Sequence, residues 1–127
     1  MRLILTSYDR IEEIVIYIVS FQMNYSEMDT PAVLIDLAVT EKNIKTYQTY
    51  CDDQGLNLRP HIKTHKIPEL AKLQLKAGAV GITCQKVSEA ESMLSEGGID
   101  DVLITYNIYG DSKLQGLLRL SENCNLS

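Results

Sequence analysis

Cysteine is sparse and unpatterned in this chain. Cys51, Cys84 and Cys124 are odd in number, widely spaced and without a CxxC pair, which excludes a disulfide framework and a cysteine-based metal knuckle. They read as reduced packing thiols of a cytoplasmic protein. Basic charge is also short: 12 Lys and Arg against 17 Asp and Glu leave a net charge of -5, the wrong sign for a general nucleic-acid binder, which needs a basic face for phosphate. Long apolar runs are missing too. The stretch 11–21 (IEEIVIYIVSF) falls well short of the ~20 residues of a membrane span. It is no secretory leader either, because Asp9, Glu12 and Glu13 stand where a basic region belongs and no small-residue cleavage site follows. With 45% hydrophobic and 23% charged residues in 127, the composition is that of one ordinary globular domain and not of a disordered chain.

What is present is a repeat. The runs Leu58–Ile62, Val80–Cys84 and Val102–Tyr106 begin at positions 58, 80 and 102, so strand candidates recur every 22 residues, each followed by helix signals. Pro68 and Glu69 mark a helix start; Leu70, Leu73 and Ala77 recur at helical spacing before a Gly78 stop. Ser88-Glu89-Ala90-Glu91 reads as a capping box before Met93, Leu94 and a Gly97-Gly98 stop. Upstream, Thr40 is placed to cap a helix whose Ile44, Tyr47 and Cys51 share a face. Downstream, Leu114, Leu117, Leu118 and Leu120 predict one more helix after Gly110-Asp111-Ser112. Alternating strand and helix predicts βαβ units and a parallel sheet. The period alone fits the start of a (β/α)8 barrel and the start of an open doubly wound sheet equally.

The most telling stretch is His61-Ile62-Lys63-Thr64-His65-Lys66, preceded by Leu58-Arg59-Pro60 and followed by a helix start. It puts Lys63 where a strand gives way to a loop, the end of the sheet at which ligands and catalytic groups collect in α/β folds. The same residues also have plainer readings. A Lys/His cluster is commonly a solvated loop, and His61 with His65 could be half a metal site, although no acid or cysteine stands close enough in sequence to complete one.

Taken together, Thr30-Pro31-Ala32-Val33-Leu34-Ile35-Asp36-Leu37 and Arg59-Pro60-His61-Ile62-Lys63-Thr64-His65-Lys66 resemble the start of the D-threonine aldolase and D-serine dehydratase family. These are fold-type III pyridoxal-phosphate enzymes related to the N-terminal barrel of alanine racemase. The likeness runs from about Met23 to about Leu120. It divides the chain into an N-terminal extension of uncertain status, 1–22, and a partial barrel domain, 23–127, and it selects the barrel over the open sheet. It implies pyridoxal 5'-phosphate as cofactor, Lys63 as the lysine of the internal aldimine, and a small D-amino acid as substrate, with neither nucleic acid nor membrane as partner. It further implies subunits that pair as a homodimer, and a divalent metal whose ligands lie near the C-terminus of full-length members, outside these 127 residues. A closed barrel needs about 250 residues, so the expectation is an N-terminal portion truncated after about three βα units, with no closing strand at Asn123–Ser127.

Strand alternation then assigns faces. If Lys63 points inward, so do His61 and Arg59, and the 22-residue shift adds Thr83, Gln85, Thr105 and Asn107 as a polar rim that could contact cofactor. Val80, Ile82, Cys84, Val102, Ile104 and Tyr106 form the complementary, helix-facing set. The plainer alternative is that Thr and Gln simply end their strands. A pocket that desolvates Lys63, with Lys66 and Arg59 nearby, would favour the neutral amine that carbonyl chemistry needs. Two functions of different class follow. One is a lyase acting on β-hydroxy-D-amino acids, by retro-aldol cleavage to glycine and an aldehyde or by elimination of water as from D-serine. The other is a catalytically inactive cofactor-binding remnant of that family.

Overall fold

A computed structural model describes residues 3–8, 14–19 and 29–127. The chain divides into two compact units, Met1–Asn43 and Ile44–Ser127. In the first, three strands form an antiparallel sheet: β1 (Leu3–Tyr8) lies between β2 (Ile14–Val19) and β3 (Ala32–Asp36). Leu3 pairs with Val19 on one side and with Asp36 on the other. The apolar run 11–21 is thus a strand over Ile14–Val19; its ends, and Met23 where the family likeness begins, lie outside the described residues.

Helix α1 (Leu37–Asp53) begins earlier than expected. Asp36 caps it, its carboxylate accepting the N–H groups of Ala38 at 2.9 Å and Val39 at 3.2 Å, which satisfies donors that the first turn would otherwise leave open. Thr40 is therefore not the cap; its hydroxyl donates back to the Asp36 carbonyl at 2.8 Å. In the second unit the buried stripe of this helix is Gln48 and Cys51, with Ile44 half-buried, and Tyr47 is exposed. Gln48 takes the inward place because its stem lies beside Gly78, where a β-carbon would come 3.2 Å from the Gln48 amide.

The second unit carries a parallel sheet in chain order: β4 (Ile82–Cys84), β5 (Asp101–Ile104) and β6 (Asn125–Leu126). The run 58–62 joins this sheet as an attached strip and not as a full strand. His61 bridges Thr83 in parallel, and the carbonyls of Leu58 and Pro60 accept the N–H groups of Val80 at 2.9 Å and Thr83 at 2.8 Å. Pro60 has no N–H to return to a ladder, and Ile62–Thr64 has already turned into a single 3-10 turn. The other two strands are likewise shorter than their apolar runs, so that Val80 and Tyr106 lie outside them and are exposed. β6 corrects the expectation of a chain ending without a strand: a two-residue strand is too short to have a readable period.

Helices α2 (Pro68–Ala77), α3 (Val87–Ser95) and α4 (Asp111–Ser121) follow the strip, β4 and β5 in turn. Pro68 starts α2, and Gly78 ends it in a left-handed conformation, with the N–H groups of Gly78 and Ala79 returned to Leu75 and Gln74. The sequence places a capping box at Ser88–Glu91; in the structure α3 has its N-cap at Lys86, with no side-chain cap, and Ser88 already lies inside the first turn. In α4, Leu120 is buried while Leu114 and Leu118 face solvent. Alternation then builds the core. Ile62, Ile82, Cys84 and Val102 from one face of the sheet pack with Ala71, Val87, Ala90, Met93 and Leu120 of the helices, and each fully buried aliphatic side chain contributes about 1.5–3 kcal/mol. The helix-facing set expected from the sequence is thus found for Ile82, Cys84, Val102 and Ile104, the last half-buried.

Candidate active site

Lys63 lies in the 3-10 turn that leaves the sheet at the carboxyl end of the 58–62 strip. The side chain of His61 caps this turn, Nδ1 accepting the Lys63 N–H at 3.3 Å, while Ile62 is wholly buried and pins the turn to the core. His65 closes the other side. Its Nδ1 accepts the Ile67 N–H at 3.0 Å, so Nδ1 is unprotonated and the proton of the neutral ring sits on Nε2. Nε2 is buried beside the Gln74 amide. Burial lowers the His65 pKa, against the opposing pull of Gln74 and Glu89. That geometry makes His65 a brace between the turn and α2.

The two lysines of the loop have different surroundings. Lys66 adopts φ 54°, a left-handed conformation uncommon away from glycine. Its ammonium donates to Glu89 Oε1. Glu89 is 5% exposed, and its Oε2 accepts the Gln85 N–H at 2.7 Å. Burial by itself would raise the Glu89 pKa; the hydrogen bonds from Lys66 and Gln85, with the charges of Lys66 and His61, outweigh burial and hold the carboxyl below its ordinary value. Lys63, three residues earlier, is exposed, and its amine has no carboxylate partner among the described residues.

Arg59 is placed elsewhere. Its guanidinium donates to Asp101 Oδ1, and Asp101 Oδ2 in turn accepts from Asn125 Nδ2 at 2.7 Å. The Arg59 hydrogen bond holds the Asp101 carboxyl below the usual range, with Asn125 helping and burial opposing. This row crosses Gly81 at the amino end of the strands, away from Lys63. The expectation of a desolvated Lys63 flanked by Arg59 and Lys66 is thereby corrected, since Lys63 is open to solvent and each of those two cations is matched by a carboxylate.

Thr83 lies on the face opposite Ile82 and Cys84, buried, with its hydroxyl 3.4 Å from the Arg59 carbonyl. Gln85 and Thr105 follow the carboxyl ends of β4 and β5 and are exposed. Asn107 lines a cleft of about 350 Å³ with Lys86, Ser88, Tyr106 and Lys113, between the starts of α3 and α4. Sequence reasoning missed Glu89 and Asp101. Glu89 was absorbed into an apparent capping box, and its signal was an acid flanked by the core positions Val87, Ala90 and Met93. Asp101 was overlooked as the first residue of its strand.

No family model matches the chain. A D-threonine aldolase from Arthrobacter sp. is 42% identical over 102 residues, which is 80% of this chain and 27% of the relative. The crystal structure of D-threonine aldolase from Filomicrobium marinum superposes with a TM-score of 0.73 at 43% identity, covering 77% of this chain and 26% of that one. The D-threo-3-hydroxyaspartate dehydratase from Delftia sp. HT23 gives 0.71 at 39%, covering 79% and 26%. The matched region belongs to the D-threonine aldolase and D-serine dehydratase family. Further relatives carry the names 3-hydroxy-D-aspartate aldolase and D-serine dehydratase. The chain spans about a quarter of the length of the curated relatives it matches, and its mixed α/β fold with a small parallel sheet corresponds to that portion of the larger aldolase structure.

Proposed function

We propose that this chain carries the cofactor-holding segment of a pyridoxal-phosphate lyase acting on β-hydroxy-D-amino acids. It would form the first units of a (β/α)8 barrel, with Lys63 as the attachment residue. The observation that carries this reading is the contrast within one loop: the Lys66 amine is held by buried Glu89, and the Lys63 amine has no such partner. The donor set fits the cofactor, because an unpaired primary amine on a pinned turn, at the carboxyl end of parallel strands, is the group an aldehyde needs. Pyridoxal phosphate, when bound, supplies an electron sink that weakens bonds at the substrate α carbon.

The residues of this chain orient. The His61 ring and the buried Ile62 fix the backbone leading into Lys63, and His65 fixes it beyond, so the amine swings from a defined base. Thr83 supports that base from the neighbouring strand; Gln85, Thr105 and Asn107 offer neutral hydrogen-bonding groups at the rim. Arg59, tied to Asp101, enters the proposal as a support of the scaffold. A divalent cation belongs to the proposal for the whole lyase. Among the described residues no group of three or more His, Cys, Asp or Glu stands together to hold one, and no step is derived through it.

The test is to add pyridoxal phosphate to the purified protein, reduce with borohydride and map the peptides. A pyridoxyl label on Lys63 is the expected result, and a label on Lys66 with none on Lys63 refutes the assignment. In a separate sample that has not been reduced, adding D-threonine or D-serine should change the visible spectrum, whereas the L-amino acids should not.

A further inference from the structure

Two primary amines three residues apart share the loop 61–66, and a cofactor aldehyde has no intrinsic reason to choose between them. Their surroundings differ in one respect that the fold imposes from a distance. Glu89 comes from α3, 23 residues after Lys66. It is among the buried polar residues of the chain, and both of its oxygens are engaged, Oε1 by Lys66 and Oε2 by the Gln85 N–H. A buried carboxylate without a cationic partner is costly, so Glu89 claims the nearest ammonium. The left-handed backbone at Lys66 is the conformation from which that side chain meets it, and such conformations persist where surrounding contacts over-determine them.

We propose that Glu89 is a selectivity-determining residue: by holding the Lys66 ammonium it confines carbonyl chemistry to Lys63. This rests on the reading of Lys63 as the attachment residue. Glu89 touches neither cofactor nor substrate in this scheme; it acts through Lys66. The hydrogen bond to Glu89 must break before the Lys66 nitrogen can reach an aldehyde carbon, whereas the Lys63 nitrogen, which has no carboxylate partner among the described residues, forms the carbon–nitrogen bond with loss of water. The Lys66 side chain is about half exposed, so the bias is that of a partly screened ion pair, about fivefold in reactivity, and not an absolute block.

The experiment compares the wild-type chain with Glu89→Gln and Lys66→Arg. Each is treated with pyridoxal 5'-phosphate and then borohydride, which adds hydride to the carbon–nitrogen double bond and fixes it as a secondary amine for peptide mapping. In Glu89→Gln the ratio of label on Lys66 to label on Lys63 should rise about fivefold. In Lys66→Arg, which keeps the cation for Glu89 and removes the competing amine, Lys63 should label as in the wild type. A folded Glu89→Gln protein with an unchanged Lys66 share overturns the proposal.

Because Glu89→Gln places an amide in a buried site and could fail to fold, a second measurement uses the wild type alone. Trace acetylation with acetic anhydride should modify Lys63 about fivefold faster than Lys66 in the folded chain, and the two at equal rates in urea. Equal rates in the folded chain also overturn the proposal. A wild type that takes pyridoxyl label on neither lysine counts against the functional reading instead, and the acetylation ratio then decides the role of Glu89 by itself.

Discussion

Gly81→Ala is the substitution for which the structure gives the sharpest expectation. Gly81 sits between Arg59 and Asp101, in the row that Asn125 completes on the far side. A β-carbon there would collide with the Arg59 guanidinium and come 2.6 Å from Asp101 Oδ1 and 2.8 Å from the Asp101 backbone oxygen. The side chains can swing aside, but the backbone oxygen belongs to β5 and moves only if the strand moves. Overpacking of this kind costs about 1–3 kcal/mol. Loss of a partly exposed ion pair adds at most about 1 kcal/mol, since solvent screens it. The sum, about 1–4 kcal/mol, corresponds to roughly 0.5–2 M in the urea midpoint at a slope of about 2 kcal/mol per M for a small protein.

Gly97→Ala is the control: its site has a left-handed φ of 66° and nothing within 4 Å of the added methyl, so it pays for conformation alone, about 1 kcal/mol. Urea unfolding followed by circular dichroism at neutral pH measures both. The ion pair also has an acid signature. The folded-state pKa of Asp101 is depressed, so its contribution is present above the unfolded value near 3.8 and is lost as pH falls through the folded value. Gly81→Ala should therefore flatten the acid limb of the stability curve as well as lower it. A Gly81→Ala midpoint equal to that of Gly97→Ala, with the acid limb intact, would refute the close approach of Arg59, Gly81 and Asp101.

Two further outcomes concern buried groups of the second unit. His65, whose pKa is lowered chiefly by burial, should titrate below 6.5 by NMR; its contribution to stability is present above that unfolded value and is lost as pH falls through the folded one, and a measured value above 6.5 contradicts the brace. The Cys84 thiol, pushed up to about 12 by burial with Glu89 and Cys124 adding to it, should stay silent to Ellman's reagent at pH 8 in the native protein and react on unfolding, whereas the half-buried Cys124 should react first; rapid native modification of Cys84 excludes the packing described.

The helices, their glycine stops and the parallel order of the sheet were legible in the sequence because each rests on local chemistry that the residues announce: Pro68 at a helix start, Gly78 at a helix end, apolar alternation at Ile82–Cys84. What was not legible depends on partners far along the chain. Nothing local distinguishes Glu89 from a capping acid, and only packing against the loop 23 residues earlier makes it a buried counter-ion. The shortening of the 58–62 strip comes from Pro60, whose missing N–H breaks the ladder within a stretch that position in the repeat alone reads as a strand. Arg59 was placed on the correct face by alternation, yet alternation says nothing about height along that face, and Asp101, 42 residues on, draws the guanidinium to the opposite end. Tyr47 and Gln48 exchanged places for a related reason: the neighbouring Gly78 leaves room for an amide stem, which a helical period cannot register.

The contact between Lys66 and Glu89 also bears on how the site responds to heat and mutation. A turn whose shape is set by neighbours in sequence survives partial opening of a protein; one set by a helix 23 residues away does not. If α3 frays from the sheet, Lys66 is released and the two amines become equivalent, although the polypeptide around Lys63 is still intact. Discrimination between the lysines is thus a property of the cooperative unit and fades with the first sub-global opening that frees α3. Substitutions deep in the core, at Met93 or Ala90 for instance, should show up as misdirected chemistry at temperatures where the bulk of the chain is still folded.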